Sequence, residues 1–229
     1  MSLSRVLLAI IEALFNELAC TPPNRTLEKD RYDTDTPSIF RIGSLMFRIH
    51  NSVLRFCVAF EIYVYLTSLP AFPASSFSPF SASETLSLYT SPLFLVGVIA
   101  VILGACIRIS CFHELGELFT FDLTIHPRHH LITSGFYAKV RHPAYTGSLI
   151  IIAGLAFSQL SPGSCLWELG PLHLAPWSGP LIGAIWWLWM FGIGLNRAKS
   201  EDRQMRALFT EEWDAYAARV PYWFIPGVI

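Results

Sequence analysis

Charge is what this sequence has least of. Asp, Glu, Lys and Arg supply 14% of its 229 residues, against about 25% in an ordinary soluble domain. That shortage excludes a disordered chain, a nucleic-acid binder and almost any soluble enzyme of this size. The charges present nearly cancel, leaving a formal net of -1, so no global field steers anionic partners. Cysteine is also sparse and poorly spaced. Five are present without a C-x-x-C, which argues against a disulfide framework or a thiolate metal site. Fourteen Gly and fifteen Pro are too few for a fibrous or low-complexity chain. No internal repeat, domain-separating linker or G-x-G-x-x-G motif occurs. The final Pro226-Gly227-Val228-Ile229 holds no cysteine, so the chain itself is not expected to be prenylated.

What the sequence has in excess is apolar side chains, 53% of the total, and these define a membrane protein. Residues 91–110 form the clearest span, apolar until Arg108 near its end, and 179–195 contain no ionisable side chain. About 20 such residues in a helix cross the roughly 30 Å hydrocarbon core. Residues 144–160 are shorter but also uncharged, and 53–70 carry one acid, Glu61, expected to face protein or water rather than lipid. In Met1–Cys20, residues Arg5, Ala9, Glu12 and Asn16 share one helical face, with leucines around the rest. This suits a bundle helix with a polar seam or an interfacial helix. Glu12 breaks the apolar region of any signal peptide, so cleavage is not expected.

With five spans, fifteen of the sixteen Lys and Arg fall in three segments on one side. Arg25, Lys29, Arg31, Arg41, Arg48 and Arg55 form one group, and Arg108, Arg128, Lys139 and Arg141 a second. Arg197, Lys199, Arg203, Arg206 and Arg219 form the third. Residues 70–90 and 161–178 have none and read as short connectors. The positive-inside rule puts the three basic groups in the cytoplasm. The expected fold is therefore all-α: a polytopic bundle of about five transmembrane helices with cytoplasmic catalytic loops and a C-terminal amphipathic helix. Residues 1–112 would be scaffold and lipid access, and 113–229 the catalytic region.

Two polar segments, 113–147 and 196–226, meet at the inner mouth. His126, His129 and His130 are either metal ligands or members of a polar loop. No Asp, Glu or Cys follows at a zinc-motif spacing, so no metal is expected. Leu131-Ile132-Thr133-Ser134-Gly135 breaks any helix, with Gly135 permitting close backbone approach. Pro143 bars His142 from the helical region and is suited to start the next helix. That start would either expose backbone N–H groups to a ligand or serve as a plain membrane turn. In the tail, Met205, Leu208, Phe209, Trp213 and Tyr216 recur at helical spacing, as in an interfacial helix. Trp213, Tyr216, Tyr222 and Trp223 suit the headgroup boundary. Arg197 and Glu201, four apart, share a face as either a surface ion pair or a site pair.

These segments together resemble the isoprenylcysteine carboxyl methyltransferase family of endoplasmic-reticulum membrane enzymes. The likeness lies in His130–Tyr137, in Arg141-His142-Pro143-Ala144-Tyr145-Thr146-Gly147, and in Arg197–Asp202. It continues through Phe209, Glu211-Glu212-Trp213, Tyr216 and Arg219-Val220-Pro221, covering about residues 113–229. It implies an S-adenosylmethionine-dependent protein-S-isoprenylcysteine O-methyltransferase that esterifies the C-terminal carboxylate of prenylated CaaX-type proteins. Membrane lipid is the further partner, with no nucleic acid. Carried over by position, Thr124, His129, His130, Leu131, Ile132, Tyr137, His142, Pro143, Ala144, Tyr145 and Glu201 would bind the cofactor. Thr124 stands where the family often has glutamine, and Asp202 where it has Glu. Arg197 would bind the substrate carboxylate, so Arg197 and Glu201 are the catalytic candidates. Trp186, Trp187 and Trp189 either line a lipid path or pack on neighbouring helices. The alternatives are a phospholipid amine N-methyltransferase, an NADPH-dependent membrane lipid or sterol reductase, and a non-catalytic scaffold or transporter.

Overall fold

Long uncharged runs placed away from water must satisfy their own backbone hydrogen bonds, and a helix does this within a single segment. The computed structural model describes residues 1–24, 43–69, 87–119 and 130–228. Thr124, His126 and His129 lie outside these residues, as do Arg25, Lys29, Arg31, Arg41, Arg128 and most of 70–90. Among the described residues there are seven α-helices and no strand. They are α1 (Leu3–Cys20), α2 (Gly43–Thr67), α3 (Pro92–Leu115), α4 (Pro143–Gln159), α5 (Cys165–Leu169), α6 (Ser178–Phe209) and α7 (Glu211–Arg219). Two stretches among them, Pro92–Leu118 and Ser178–Phe209, are long and apolar enough to cross a membrane.

The first helix is built inside out, which decides between its two sequence readings. Arg5, Glu12 and Asn16 are 1%, 0% and 1% exposed, whereas Leu14 and Leu18 are 57% and 59% exposed. A polar face turned inward and an apolar face turned outward belongs to a bundle helix in an apolar surrounding. Each inward group is matched by another helix. Arg5 donates to both Glu61 oxygens, at 2.7 and 3.1 Å, so Glu61 faces protein as expected. Gln159 Nε2 donates to Glu12 at 2.9 Å, and the Ser158 hydroxyl donates to its other oxygen. Asn16 donates to Asn51 at 2.7 Å. Arg108 of α3 reaches the Ala19 carbonyl at 2.8 Å and the Ala144 carbonyl at 3.1 Å. These bonds pin α1 against α2, α3 and α4.

Helices α3 and α4 pack most closely, through two facing glycine pairs. A Cβ on Gly97 would lie 2.6 Å from the Gly154 carbonyl, and one on Gly104 would lie 2.6 Å from that of Gly147. Backbone rather than side chain fills the interface, as is common where apolar surroundings give helices no hydrophobic drive to associate.

Two segments depart from their sequence reading. Residues 161–178, expected as a plain connector, include α5, whose Cys165 and Trp167 are buried. The apolar side chains Cys165, Trp167 and Leu172 draw this loop onto the bundle, and Ser164 caps it through the Trp167 N–H at 3.3 Å. The tail, expected to resemble an interfacial helix, is divided at Thr210. Helix α6 continues unbroken from the apolar run through Glu201 to Phe209. Thr210 then adopts φ 43°, a left-handed conformation that interrupts the helix. Helix α7 starts afresh with Glu211, Glu212 and Asp214 in its first turn, where the helix dipole favours acids.

Replacing Gly104 by Ala should therefore destabilise the protein by about 1–3 kcal/mol, seen as a lower melting temperature in detergent. Gly192→Ala, whose added carbon meets nothing within 4 Å, should leave it unchanged or slightly raised. Equal melting of both variants would show that α3 and α4 do not approach this closely.

Candidate active site

The chain between α3 and α4 is shaped by three local constraints. Gly135 has φ 56°, a left-handed backbone that favours glycine, and it packs against the Glu114 side chain. Ser134 donates to the other oxygen of Glu114 at 2.7 Å, tying the turn to the end of α3. Pro143 occupies the first turn of α4 and His142 stands at its N-cap. The backbone N–H groups of Arg141 and His142 are both used within the protein. They donate at 2.9 Å each to the carbonyls of Tyr222 and Trp223. Arg141 also donates to the Pro221 carbonyl at 3.1 Å, and Thr146 to that of Phe224 at 2.7 Å. The C-terminal segment is thus tied to the capped start of α4.

The continuation of α6 brings two carboxylates to this cap. His142 Nε2 lies 2.8 Å from Asp202 Oδ1, and its Nδ1 lies 3.3 Å from Glu201 Oε2. Arg141 NH1 lies 2.8 Å from Asp202 Oδ2. The Tyr145 hydroxyl donates to the remaining Glu201 oxygen. Both ring nitrogens of His142 face acceptors, so the doubly protonated ring satisfies both. Burial opposes that charge, but the hydrogen bonds to Asp202 and Glu201 outweigh it and hold the His142 pKa above its ordinary value.

Beside this joint opens a cavity of about 230 Å³. Its polar wall is His130, Tyr137, Arg141, His142, Tyr145, Arg197, Glu201 and Gln204, with Arg108 and Ser148 deeper in. Its apolar wall includes Phe47, Leu149, Ile152, Met190 and Ile193, and Trp213 and Tyr216 close one side. Arg197 lies against Tyr145 and Glu201. Tyr216 donates to the Tyr137 carbonyl at 2.8 Å.

Of the residues expected from sequence, His130, Leu131, Ile132, Tyr137, His142, Ala144, Tyr145, Arg197 and Glu201 line this one cavity. Pro143 is buried in the start of α4 instead, and Thr124 and His129 lie outside the described residues. Trp213 and Tyr216 turn away from the surface. Both are buried against Leu131, Met205 and Phe209, because α7 folds back onto the His130–Tyr137 strand of chain. Sequence reasoning missed Asp202 as the partner of His142, and it missed Arg108 and Gln204 as wall residues. Gln204 is three residues beyond Glu201, a spacing that shares a helical face and could have flagged it. Its Nε2 is buried with no hydrogen-bond partner among the described residues, leaving a donor for a polar ligand.

The family model described as the Isoprenylcysteine carboxyl methyltransferase (ICMT) family matches residues 95–162, from α3 through the cap to the end of α4. A probable protein-S-isoprenylcysteine O-methyltransferase of Oryza sativa subsp. indica is 32% identical over 127 residues, 55% of this chain and 57% of that protein. The Mus musculus protein-S-isoprenylcysteine O-methyltransferase is 27% identical over 136 residues, 58% of this chain and 42% of its own. A Delta(14)-sterol reductase of Dictyostelium discoideum is 30% identical over 99 residues, 43% of this chain and 18% of that protein. No solved structure matches. The resemblance read from the motifs is thus borne out: the chain is similar to the isoprenylcysteine carboxyl methyltransferase family. It spans little more than half the length of the rice relative and less than half that of the mouse one.

The His142 joint carries a pH prediction. Because the folded protein raises the pKa, it holds the proton more tightly than the unfolded chain does. The stabilisation is complete below the unfolded value near 6.5 and is lost as pH rises through the raised folded value. The melting temperature should fall as pH climbs from about 6.5 into the alkaline range. His142→Gln should melt lower at mildly acid pH and show a shallower alkaline fall. Parallel curves for the two proteins would contradict the joint.

Proposed function

We propose that this protein transfers the methyl group of S-adenosylmethionine to the C-terminal carboxylate of a prenylated cysteine, forming a methyl ester. The observation that carries this reading is the composition of the cavity, which sets Arg197 and Glu201 of α6 beside an apolar wall of Leu149, Ile152, Met190 and Ile193. A ligand with an ionised end and a greasy body suits such a space. The likeness to proteins named protein-S-isoprenylcysteine O-methyltransferase supports the same substrate.

The donor set of the polar wall fits S-adenosylmethionine. Glu201 offers an anion, Tyr137, Tyr145 and Trp213 offer aromatic surface suited to a sulfonium cation, and Gln204 offers an unpartnered N–H. We assign the methyl donor to His130, Leu131, Ile132, Tyr137, His142, Ala144, Tyr145 and Glu201, with Pro143 supporting the turn. Thr124 and His129 belong to the same assignment. When bound, the donor supplies an electrophilic methyl group.

The chain's own residues handle the acceptor. An α-carboxylate has a reference pKa of about 3.3–3.7, so it is ionised at neutral pH without a general base. Water weakens it as a nucleophile, and the apolar wall excludes that water. Arg197 holds one carboxylate oxygen by a charge-assisted hydrogen bond while leaving the other to attack. Orientation then supplies the remaining acceleration. A lipid tail buries about 0.8 kcal/mol per methylene in the bilayer, so the acceptor reacts while still partly in lipid. We place the protein in the endoplasmic-reticulum membrane, with α1, α2, α3, α4 and α6 as five spans and the cavity facing the cytoplasm, acting on CaaX-processed proteins.

The Dictyostelium similarity favours a second reading, a nicotinamide-dependent reduction of a membrane lipid. A cationic acceptor, as in phospholipid amine methylation, is disfavoured by Arg197 in the wall.

The test is to incubate membranes containing the protein with labelled S-adenosylmethionine and N-acetyl-farnesylcysteine and to measure base-labile methyl ester. Ester well above control membranes is expected, and none above control would overturn the reading. Arg197→Ala should lower turnover about 100-fold, the scale of one lost charged contact to the reacting group, while donor binding stays measurable. Near-normal turnover would show that the carboxylate is held elsewhere.

A further inference from the structure

We propose that Asp202 is a positioning residue for the transfer: by gripping Arg141 with one oxygen and His142 with the other, it fixes Glu201 and Tyr145 at the cavity wall. This inference rests on the methyltransferase reading and deepens it.

The atoms at the joint are already engaged. Glu201 has one oxygen toward His142 Nδ1 at 3.3 Å and the other on the Tyr145 hydroxyl. His142 can hold Glu201 only while its ring is kept in place, and the shorter bond doing so is the 2.8 Å contact to Asp202. The second oxygen of Asp202 meets Arg141 at 2.8 Å, and Arg141 packs its guanidinium 5.5 Å above the Trp223 ring. Asp202 therefore joins α6, the cap of α4 and the C-terminal segment at one carboxylate. It does not line the cavity itself, so it acts through its neighbours.

The charges explain why an acid, and not merely an acceptor, is needed there. Arg141 stands beside His142, which faces Glu201 and Asp202 on α6; Tyr145 on α4 and Arg197 on α6 adjoin Glu201, and Tyr216 on α7 interacts with Arg141 and Asp202. Without the Asp202 charge, a buried imidazolium beside Arg141 and near Arg197 keeps a single anionic partner. The ring then releases its proton to solvent at lower pH. A neutral ring keeps one N–H, and with an amide at 202 donating to Nε2 it meets Glu201 as a dipole rather than as a charge, a weaker hold on that carboxylate.

The experiment compares wild type, Asp202→Asn and Asp202→Glu in the methyl-ester assay, using S-adenosylmethionine and N-acetyl-farnesylcysteine across a pH series. Melting temperatures in the same lipid are recorded alongside. The alkaline limb of kcat should move to lower pH by about one to two units in Asp202→Asn. Its kcat at neutral pH should fall about tenfold or more, with a smaller change in KM for farnesylcysteine. Asp202→Glu, which keeps the charge, should restore the position of the limb. A folded Asp202→Asn with the wild-type limb and kcat would overturn the proposal. Histidine-nitrogen NMR of the wild-type protein gives an independent reading that needs no variant. One histidine should stay doubly protonated to a higher pH than an ordinary imidazole, and a joint histidine that loses its proton at or below the ordinary value would also overturn the proposal. Lack of ester from wild type would instead overturn the methyltransferase reading.

Discussion

The site depends on one ionic joint, in which two adjacent carboxylates on α6 close around the histidine that caps α4. The helix carrying them is the last long apolar helix, and it does not stop where its charge-free run stops. Its continuation past Arg197 lifts Glu201 and Asp202 to the level of the α4 start. Burial makes each of these charges costly alone, and matching them removes much of that cost. Tyr145, one helical turn further along, is then held through Glu201, and the C-terminal segment is held through Arg141 and His142.

Beneath the joint, the bundle turns the usual arrangement of a soluble protein outside in. Leucines of α1 face outward while Arg5, Glu12 and Asn16 are matched one by one by Glu61, Ser158, Gln159 and Asn51. The facing glycines of α3 and α4 bring two backbones into contact. Since α3 carries Arg108 and α4 carries Tyr145, that contact also fixes how far apart two walls of the cavity stand. Rigid helices rather than loops therefore position most of the polar wall, which favours a fixed geometry for a reaction driven by orientation and exclusion of water.

Much of this was legible in the sequence because its signals are local. Runs without charge marked α3, α4 and α6, and the polar stripe of α1 was visible at helical spacing. The Arg141-His142-Pro143 break and Gly135 announced where the chain turns. The rest was hidden for physical reasons. Polar residues after 195 suggested that the last span had ended, yet a helix continues through a change of polarity unless something breaks it, and here Thr210 does. Trp213 and Tyr216 have the composition of a boundary helix, but only the fold-back of α7 reveals that they are covered. Asp202 neighbours Glu201, and adjacent residues do not share a helical face. Both reach His142 only because its side chain inserts between them. Residues 161–178 had the Pro and Gly content of a connector, which masked the few apolar side chains that fold α5 onto the bundle.

A cavity with an arginine–carboxylate edge and an apolar wall is the physical core of the proposed methyl transfer, and the competing reductase reading asks the same space to hold a different nucleotide-bearing cofactor. Equilibrium binding of S-adenosylmethionine and of NADPH to the purified protein in lipid nanodiscs separates the two most directly. Saturable binding of S-adenosylmethionine, undisturbed by NADPH, is the predicted result. Binding of NADPH with none of S-adenosylmethionine would contradict it.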